Sequence, residues 1–296
     1  MKLVNSLVYV ASHPLCSNRR ASALWRFCKW QIASRLAPGA IVFDWINGAQ
    51  FIVRNGETGL TGNVYTGLHE FPDMAYLLHV LRAGDLFVDV GANVGSYTIL
   101  ACSVAGARGY AFEPVPETHA RLVRNLRLNC LEEKVVYPNI AIGNVDGRLS
   151  FTADGDTVNH VLSDGEACAS TVTVDVTTLD AMLSNESPAF IKIDVEGFEA
   201  QVLRGAPETL ARTSLHSLII ELNGEGHRYG LAESLILDIM SYHGFTACTY
   251  DPFRRALAEL RGGKSESGNT LFVRNRELVE ERLRTAPKIT VHGHTF

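Results

Sequence analysis

No apolar run in this 296-residue chain reaches the ~18 residues that a membrane-spanning helix requires. Cysteine is sparse. The six, at positions 16, 28, 102, 130, 168 and 248, form no C-x-x-C and no C-x-x-C-H, which excludes a zinc ribbon, a redox motif and haem attachment. Their scatter among apolar residues points to a reducing compartment. An excess of positive charge is missing as well: 27 Lys and Arg stand against 32 Asp and Glu, a formal net charge of −5, so no nucleic-acid partner is expected. The short apolar run at 3–11 follows a single Lys2 and leads to His13-Pro14 without a small-x-small cleavage pattern, which makes a poor signal peptide. A cytoplasmic protein is expected. The last absence is a phosphate-binding G-x-G-x-x-G.

What is present suits a globular enzyme, since 46% hydrophobic residues in a chain of this length can bury the core of one large α/β domain. The most informative stretch begins at Leu86-Phe-Val-Asp-Val90, β-branched and apolar apart from Asp89, as a strand buried on both faces of a parallel sheet requires. Gly91-Ala-Asn-Val-Gly95 follows as a tight strand-to-helix turn. A residue without Cβ there permits unusual dihedrals and close approach by a ligand, and the helix starting near Gly95 should aim free N–H groups at it. The next apolar strand, 109–112, ends in Glu113, whose carboxylate can accept hydrogen bonds from both hydroxyls of a ribose. Asn93 stands where a dinucleotide fingerprint has its second glycine, the one that lets a pyrophosphate touch the backbone. The spacing argues against NAD and for a nucleoside cofactor without phosphates, with S-adenosylmethionine the obvious candidate. A nicotinamide-dependent oxidoreductase and a non-catalytic cofactor-binding protein are the competing function classes.

An ordered set of motifs extends the pattern: Gly67-Leu-His-Glu70, Val88-Asp-Val-Gly-Ala-Asn-Val-Gly95 with Tyr97-Thr98, Phe112-Glu-Pro114, Ala141-Ile-Gly143 with Asp146-Gly147, Thr178-Leu-Asp180, and Ile191-Lys-Ile-Asp-Val-Glu-Gly-Phe-Glu199 with Val202-Leu-Arg-Gly205. Over residues 51–273 the chain thereby resembles the FkbM-type S-adenosylmethionine-dependent methyltransferases. The resemblance implies a class I methyltransferase fold, a Rossmann-like doubly wound and mainly parallel sheet with an antiparallel last strand. It implies S-adenosylmethionine as cofactor, held by Glu70, Asp89, Gly91, Ala92, Asn93, Gly95, Tyr97, Thr98, Glu113, Pro114, Ala141 and Asp194, with Glu70 bonding the amino group of the methionyl part. It further implies O-methylation of a hydroxylated small molecule, glycan or glycolipid.

Four segments are expected. Residues 1–43 carry Lys2, Arg19, Arg20, Arg26, Lys29 and Arg35 and no acidic residue. Within 17–36, Leu24, Phe27, Cys28 and Ile32 recur near helical spacing beside Trp25 and Trp30, a basic helix that either packs on the domain or lies on an anionic membrane surface; plain packing is the favoured reading. Residues 44–84 are read as a hairpin turning at Asn55-Gly56, a polar lid at 61–70 and a helix over 74–81. Residues 85–275 form the methyltransferase domain, with strands at 86–90, 109–112, 135–142, 190–194 and 218–222, helices at 96–104, 116–129, 197–210 and 231–243, an inserted hairpin over 149–176 and a last strand at 269–274 expected to pair antiparallel at the sheet's end. The Asp154-Gly-Asp156 loop lacks the offsets of a calcium site. Residues 276–296 are taken as a polar tail in which His292 and His294 face solvent.

An alcohol that attacks a methyl group must lose its proton, so a base is a mechanistic requirement. Asp194 at a strand end is the first candidate, with His160, His227 and Glu221 as alternatives; Lys192, on the same strand face, is expected to pair with Asp194 or Glu221. Glu196 and Glu199 open a helix, where the dipole favours them, and Glu199 should stand off the apolar stripe. Three oxygen ligands from Asp194, Glu196 and Glu221 would suit magnesium, but the family pattern does not require a metal and none is expected.

Overall fold

The computed structural model describes residues 2–17, 19–36, 39–54, 58–152, 159–163 and 170–296. Its centre is a sheet of eight strands: β1 (Leu86–Val90), β2 (Arg108–Phe112), β3 (Val135–Val136), β4 (Pro188–Ile193), β5 (Ser217–Glu221), β6 (Thr246–Asp251), β7 (Ala256–Glu259) and β8 (Asn269–Val273). They lie in the order β7-β6-β8-β5-β4-β1-β2-β3. The five from β3 to β5 run parallel, and β8 runs antiparallel to both of its neighbours. This is the expected doubly wound α/β sheet. Every residue of β1, β4 and β8 is buried, which explains why their polar residues are few: Asp89, Lys192, Asn269 and Thr270.

The last strand departs from expectation in its place. It inserts between β5 and β6 instead of closing the sheet, and the edge falls to β7, where every residue but Leu257 is exposed. Leu271, Phe272 and Val273 are apolar on both faces and could not have been left on a rim. The 135–142 strand divides in two, because Pro138 interrupts it without an N–H to offer: Val135–Val136 pairs with β2, while Ala141–Ile142 joins a separate three-stranded sheet with Gly147–Thr152 and Thr171–Thr177. The latter two strands are the inserted hairpin. The 197–210 helix likewise splits at Gly205 into Glu199–Arg204 and Pro207–Ala211.

The flanking segments are part of the packed body. Strands Ala40–Asp44 and Gln50–Arg54 form the N-terminal hairpin, which turns at Ile46–Gly48; Asn55-Gly56 and Asp154-Gly-Asp156 lie outside the described residues. The 61–70 lid is instead mostly helix, Thr58–Thr66, with Asn63 and Thr66 buried and Val64 in one apolar cluster with Phe27, Trp30, Phe51 and Val53. Nor is 276–296 a tail. It forms helix Arg276–Thr285 and the small hairpin Thr290–Val291/His294–Thr295, and it ends on Phe296, whose ring meets Phe71 at 5.0 Å and His79 at 5.4 Å. His292 and His294 are partly buried, and burial pushes His292 down to about 4.

Candidate functional site

A cavity of about 350 Å³ opens at the carboxyl ends of β1, β2, β4 and β5, the rim where a doubly wound sheet changes direction. Four strands deliver side chains to it. From β1 and its turn come Asp89, Gly91, Ala92, Asn93 and Tyr97; from β2, Glu113 and Pro114; from beyond β4, Asp194, Glu196 and Phe198; and from β5, Glu221.

The glycine turn is held by the fold itself. Gly91 has φ +82°, and a Cβ there would stand 1.8 Å from the Asp194 carbonyl oxygen, so the close approach that requires glycine is to β4's own backbone. The amides of Gly91 and Ala92 both donate to the Phe112 carbonyl, at 3.0 and 2.9 Å, and Asn93 N–H donates to Glu113 Oε2 at 3.0 Å. These turn amides are bonded within the protein. Glu113 Oε1 accepts from Val115 N–H at 2.9 Å, and burial pushes the carboxyl up to about 7. Two further expected contacts do not reach the cavity. Gly95 (φ +92°) packs under Leu122, and Thr98 is buried, where its hydroxyl donates to Asp89 Oδ2 at 2.6 Å and so orients it from behind.

Glu70 enters from the N-terminal end of helix Phe71–Val80. It makes no capping bond; it accepts from the Tyr97 hydroxyl at 2.7 Å and from Asn269 Nδ2 at 3.0 Å. Asn269 also reaches Asp73, one helical turn on from Glu70, whose carboxyl burial and the Glu70 charge raise to about 7. Asp73 could have been found from its i+3 spacing on one helix face. Asn269 carries no local signal, since only the reversed strand β8 brings it there.

Lys192 is 3% exposed, donates to Asp194 Oδ2 at 2.5 Å and lies 4.7 Å from the centre of the Tyr97 ring. Burial opposes both charges of this pair, yet their mutual attraction prevails: the ammonium is pushed up and the Asp194 carboxyl is held below its ordinary value. Glu221 feels burial and then the negative charges of Asp194 and Glu196, which raise it to about 9. One of its oxygens, Oε2, is buried without a hydrogen-bond partner. Ligand atoms of Asp194, Glu196 and Glu221 lie within 4.8 Å of one another, close enough to share a cation as well as to repel.

Glu196 is the residue that its position in sequence undersold. It takes φ +52°, a left-handed conformation uncommon outside glycine, and this turns its side chain into the cavity instead of along the following helix. Burial and the neighbouring Asp194, Glu199 and Glu225 raise it to about 7. Glu199 is buried, contrary to its expected displacement, because its Oε1 accepts from the amides of Val195 and Gly197, both at 3.1 Å, and so fastens the loop that presents Glu196. Of the histidines, His227 sits on an exposed turn with its ring on the Gly224 carbonyl and does not line the cavity. His160 lies between two lining residues, Asn159 and Val161, near enough for its charge to act on Glu196.

Among known proteins, the hexuronic acid methyltransferase AglP of Haloferax volcanii is 29% identical over 152 residues, which cover 50% of this chain and 59% of that one. The match thus spans under two thirds of that relative's length. Solved structures with a similar trace include P. horikoshii TYW2 in complex with MeSAdo (16% identity, 80% of this chain and 70% of that chain, TM-score 0.40). Another is precorrin-6y C5,15-methyltransferase of Geobacter metallireducens (10% identity, 75% and 92%, TM-score 0.40). The cavity's strand ends from Asp89 to Glu221 all fall within residues 89–251, which match the model of the methyltransferase FkbM domain over more than half of the chain, and the protein belongs to that family.

Proposed function

We propose that this protein transfers the methyl group of S-adenosylmethionine to a hydroxyl of a glycan or a similarly hydroxylated small molecule. The observation that carries this reading is the convergence of carboxyl groups from four strand ends on one cavity, with Glu196 among them as a group that titrates near neutral pH. The residues fit the cofactor: a buried Glu113 with lone pairs left for ribose hydroxyls, apolar Pro114, Ile140 and Ala141 for a purine, and Glu70 for an ammonium group. When bound, the cofactor would supply an activated methyl on a sulfonium.

The chain's own residues do the rest. Asp194 is ionised but weakly basic, because Lys192 neutralises it, and Glu221 at about 9 already holds a proton at neutral pH. Glu196 is the group able to take the hydroxyl's proton as the new carbon–oxygen bond forms and the carbon–sulfur bond breaks. Asp194 and Glu221 then orient the hydroxyl. The described lining sets six carboxyl groups against Lys192, already bonded to Asp194, so the uncharged face of a sugar suits it better than a uronate.

The test is label transfer from methyl-labelled S-adenosylmethionine to a panel of neutral glycosides, uronides and hydroxylated metabolites, with calorimetry of S-adenosylhomocysteine and NAD alongside. Label on a hydroxyl of a neutral glycoside and binding of S-adenosylhomocysteine alone are expected. Binding of NAD, or label on nitrogen or carboxylate, overturns the reading, and cofactor binding without any transfer favours the non-catalytic alternative.

A further inference from the structure

Helix Arg20–Leu36 has two apolar faces. Ala23, Phe27, Trp30 and Ser34 point into the N-terminal core. Two positions further along at each step, about 200° round the helix, stand Trp25, Lys29, Ile32 and Leu36. On this outer face Trp25 is 67% exposed, Ile32 58% and Leu36 78%, with Leu24 and Cys28 exposed beside them. The expected single stripe of Leu24, Phe27, Cys28 and Ile32 is therefore divided, with only Phe27 turned inward. Exposed Arg20, Lys29 and Arg35 border the outer apolar residues.

We infer that this outer face seats the protein on an anionic lipid surface. Three large exposed side chains interleaved with cations match a bilayer interface, where the apolar parts enter the acyl boundary, tryptophan sits at headgroup depth and long basic side chains reach the phosphates. The excess of positive charge lies in this part of the chain. Residues 1–43 hold six Lys and Arg and no Asp or Glu, leaving 21 Lys and Arg against 32 Asp and Glu for all the rest. An anionic surface is thus met by the N-terminal segment and repelled by the remainder, which orients the molecule. The segment is also tied to the cavity wall. Tyr9 donates to the His69 carbonyl at 2.9 Å, the His13 ring meets the same carbonyl at 3.2 Å, and His69 lines the cavity. The inference is independent of the acceptor, because no residue of the outer face lines the cavity.

Flotation of the full chain with vesicles tests it, using phosphatidylcholine alone and phosphatidylcholine with about one quarter phosphatidylglycerol, at low and high salt. Binding to the anionic vesicles only, weakened by salt, is expected. Arg20→Gln with Lys29→Gln should reduce the partition on the order of 30-fold, at about 1 kcal/mol for each cation near the surface. Trp25→Ser with Ile32→Ser should abolish binding, and both pairs, being exposed, should leave the melting temperature unchanged. No binding, equal binding to neutral vesicles, or wild-type partition by both variants overturns the inference. So does a dimer in sedimentation equilibrium that either pair dissociates, since a second copy would then be what covers this face.

Discussion

Glu196 combines a strained backbone with a carboxyl brought to about 7, the value at which a base is both available and strong enough in neutral solution. Glu196→Gln should lower kcat by on the order of 10²–10⁴ while leaving the dissociation constant for S-adenosylhomocysteine unchanged. The sign of the pH dependence follows from the direction of the shift: the carboxyl is protonated below about 7, so wild-type turnover rises with pH through that value and the variant's residual turnover does not. A variant that keeps wild-type kcat returns the role to Asp194. Glu113 acts differently, since its two oxygens hold the Asn93 and Val115 amides whether or not a ligand is present. Glu113→Gln puts an amide donor where one of those acceptors stood. Cofactor affinity should fall by about 1.5–3 kcal/mol, the usual range for hydrogen bonds to a charged group, and calorimetry showing no loss would remove Glu113 from the ribose. Gly91 offers no comparable test, because any Cβ there strikes Asp194 before it could meet a ligand.

Strands and helices were legible in the sequence wherever one face or both had to be apolar. β1, β2, β4 and β5 lie within two residues of their expected bounds, and so does the pairing of Gly147–Thr152 with Thr171–Thr177 inside the expected inserted hairpin. Carboxyl groups at strand ends were legible for the same reason, since the strand's end also fixes the rim. Long-range placement was hidden. Nothing local tells that β8 threads between β5 and β6, and Asn269 reaches Glu70 only through that insertion. Beyond helix Arg276–Thr285 the C-terminal segment shows no legible period, because Ile289, Val291 and Phe296 are few and unevenly spaced, yet each is buried. Arg255 binds the carbonyls of Ala286 and Phe296 at 2.6 and 3.2 Å, and the Phe296 ring packs on Phe71, next to Glu70. Phe296→Ala should therefore cost roughly 3 kcal/mol or slightly less at a chain end able to relax, read as a lower denaturant midpoint with unchanged slope. A loss under ~0.5 kcal/mol, the usual effect of an exposed substitution, would show that the ring adds little to what Arg255, Ile289 and Val291 supply.

The folded chain as a whole keeps acids and histidines away from their ordinary protonation, and the two groups pull stability in opposite directions over different pH ranges. Burial raises Asp73, Glu113, Glu196 and Glu199 to about 7 and Glu221 to about 9. Each then binds more proton in the folded state than in the unfolded one between its ordinary value and its raised value, so its contribution is complete in acid and is lost as pH rises through that window. His13, His79, His216 and His292 are lowered by burial to about 4. They bind less proton when folded, so their contribution is complete above about 6.5 and is lost as pH falls toward 4. Lys192 and Asp194 shift outward, to values beyond both windows. Below about 6.5 acids and histidines offset each other, whereas above it only the acids remain. The melting temperature of the free protein should therefore peak at mildly acidic pH and decline from roughly 6.5 to 9. One proton's difference over one pH unit is worth ~1.4 kcal/mol, or about 3–6 °C at the 2–4 °C per kcal/mol typical of chains of 150–250 residues. Because three of these acids, Glu113, Glu196 and Glu221, line the cavity, a cationic ligand seated among them should raise the melting temperature more at pH 8 than at pH 6. A melting temperature that climbs from pH 6.5 to 8 would mean that these carboxyls are ionised in the folded protein, and Glu196 could then no longer be a base poised near neutrality.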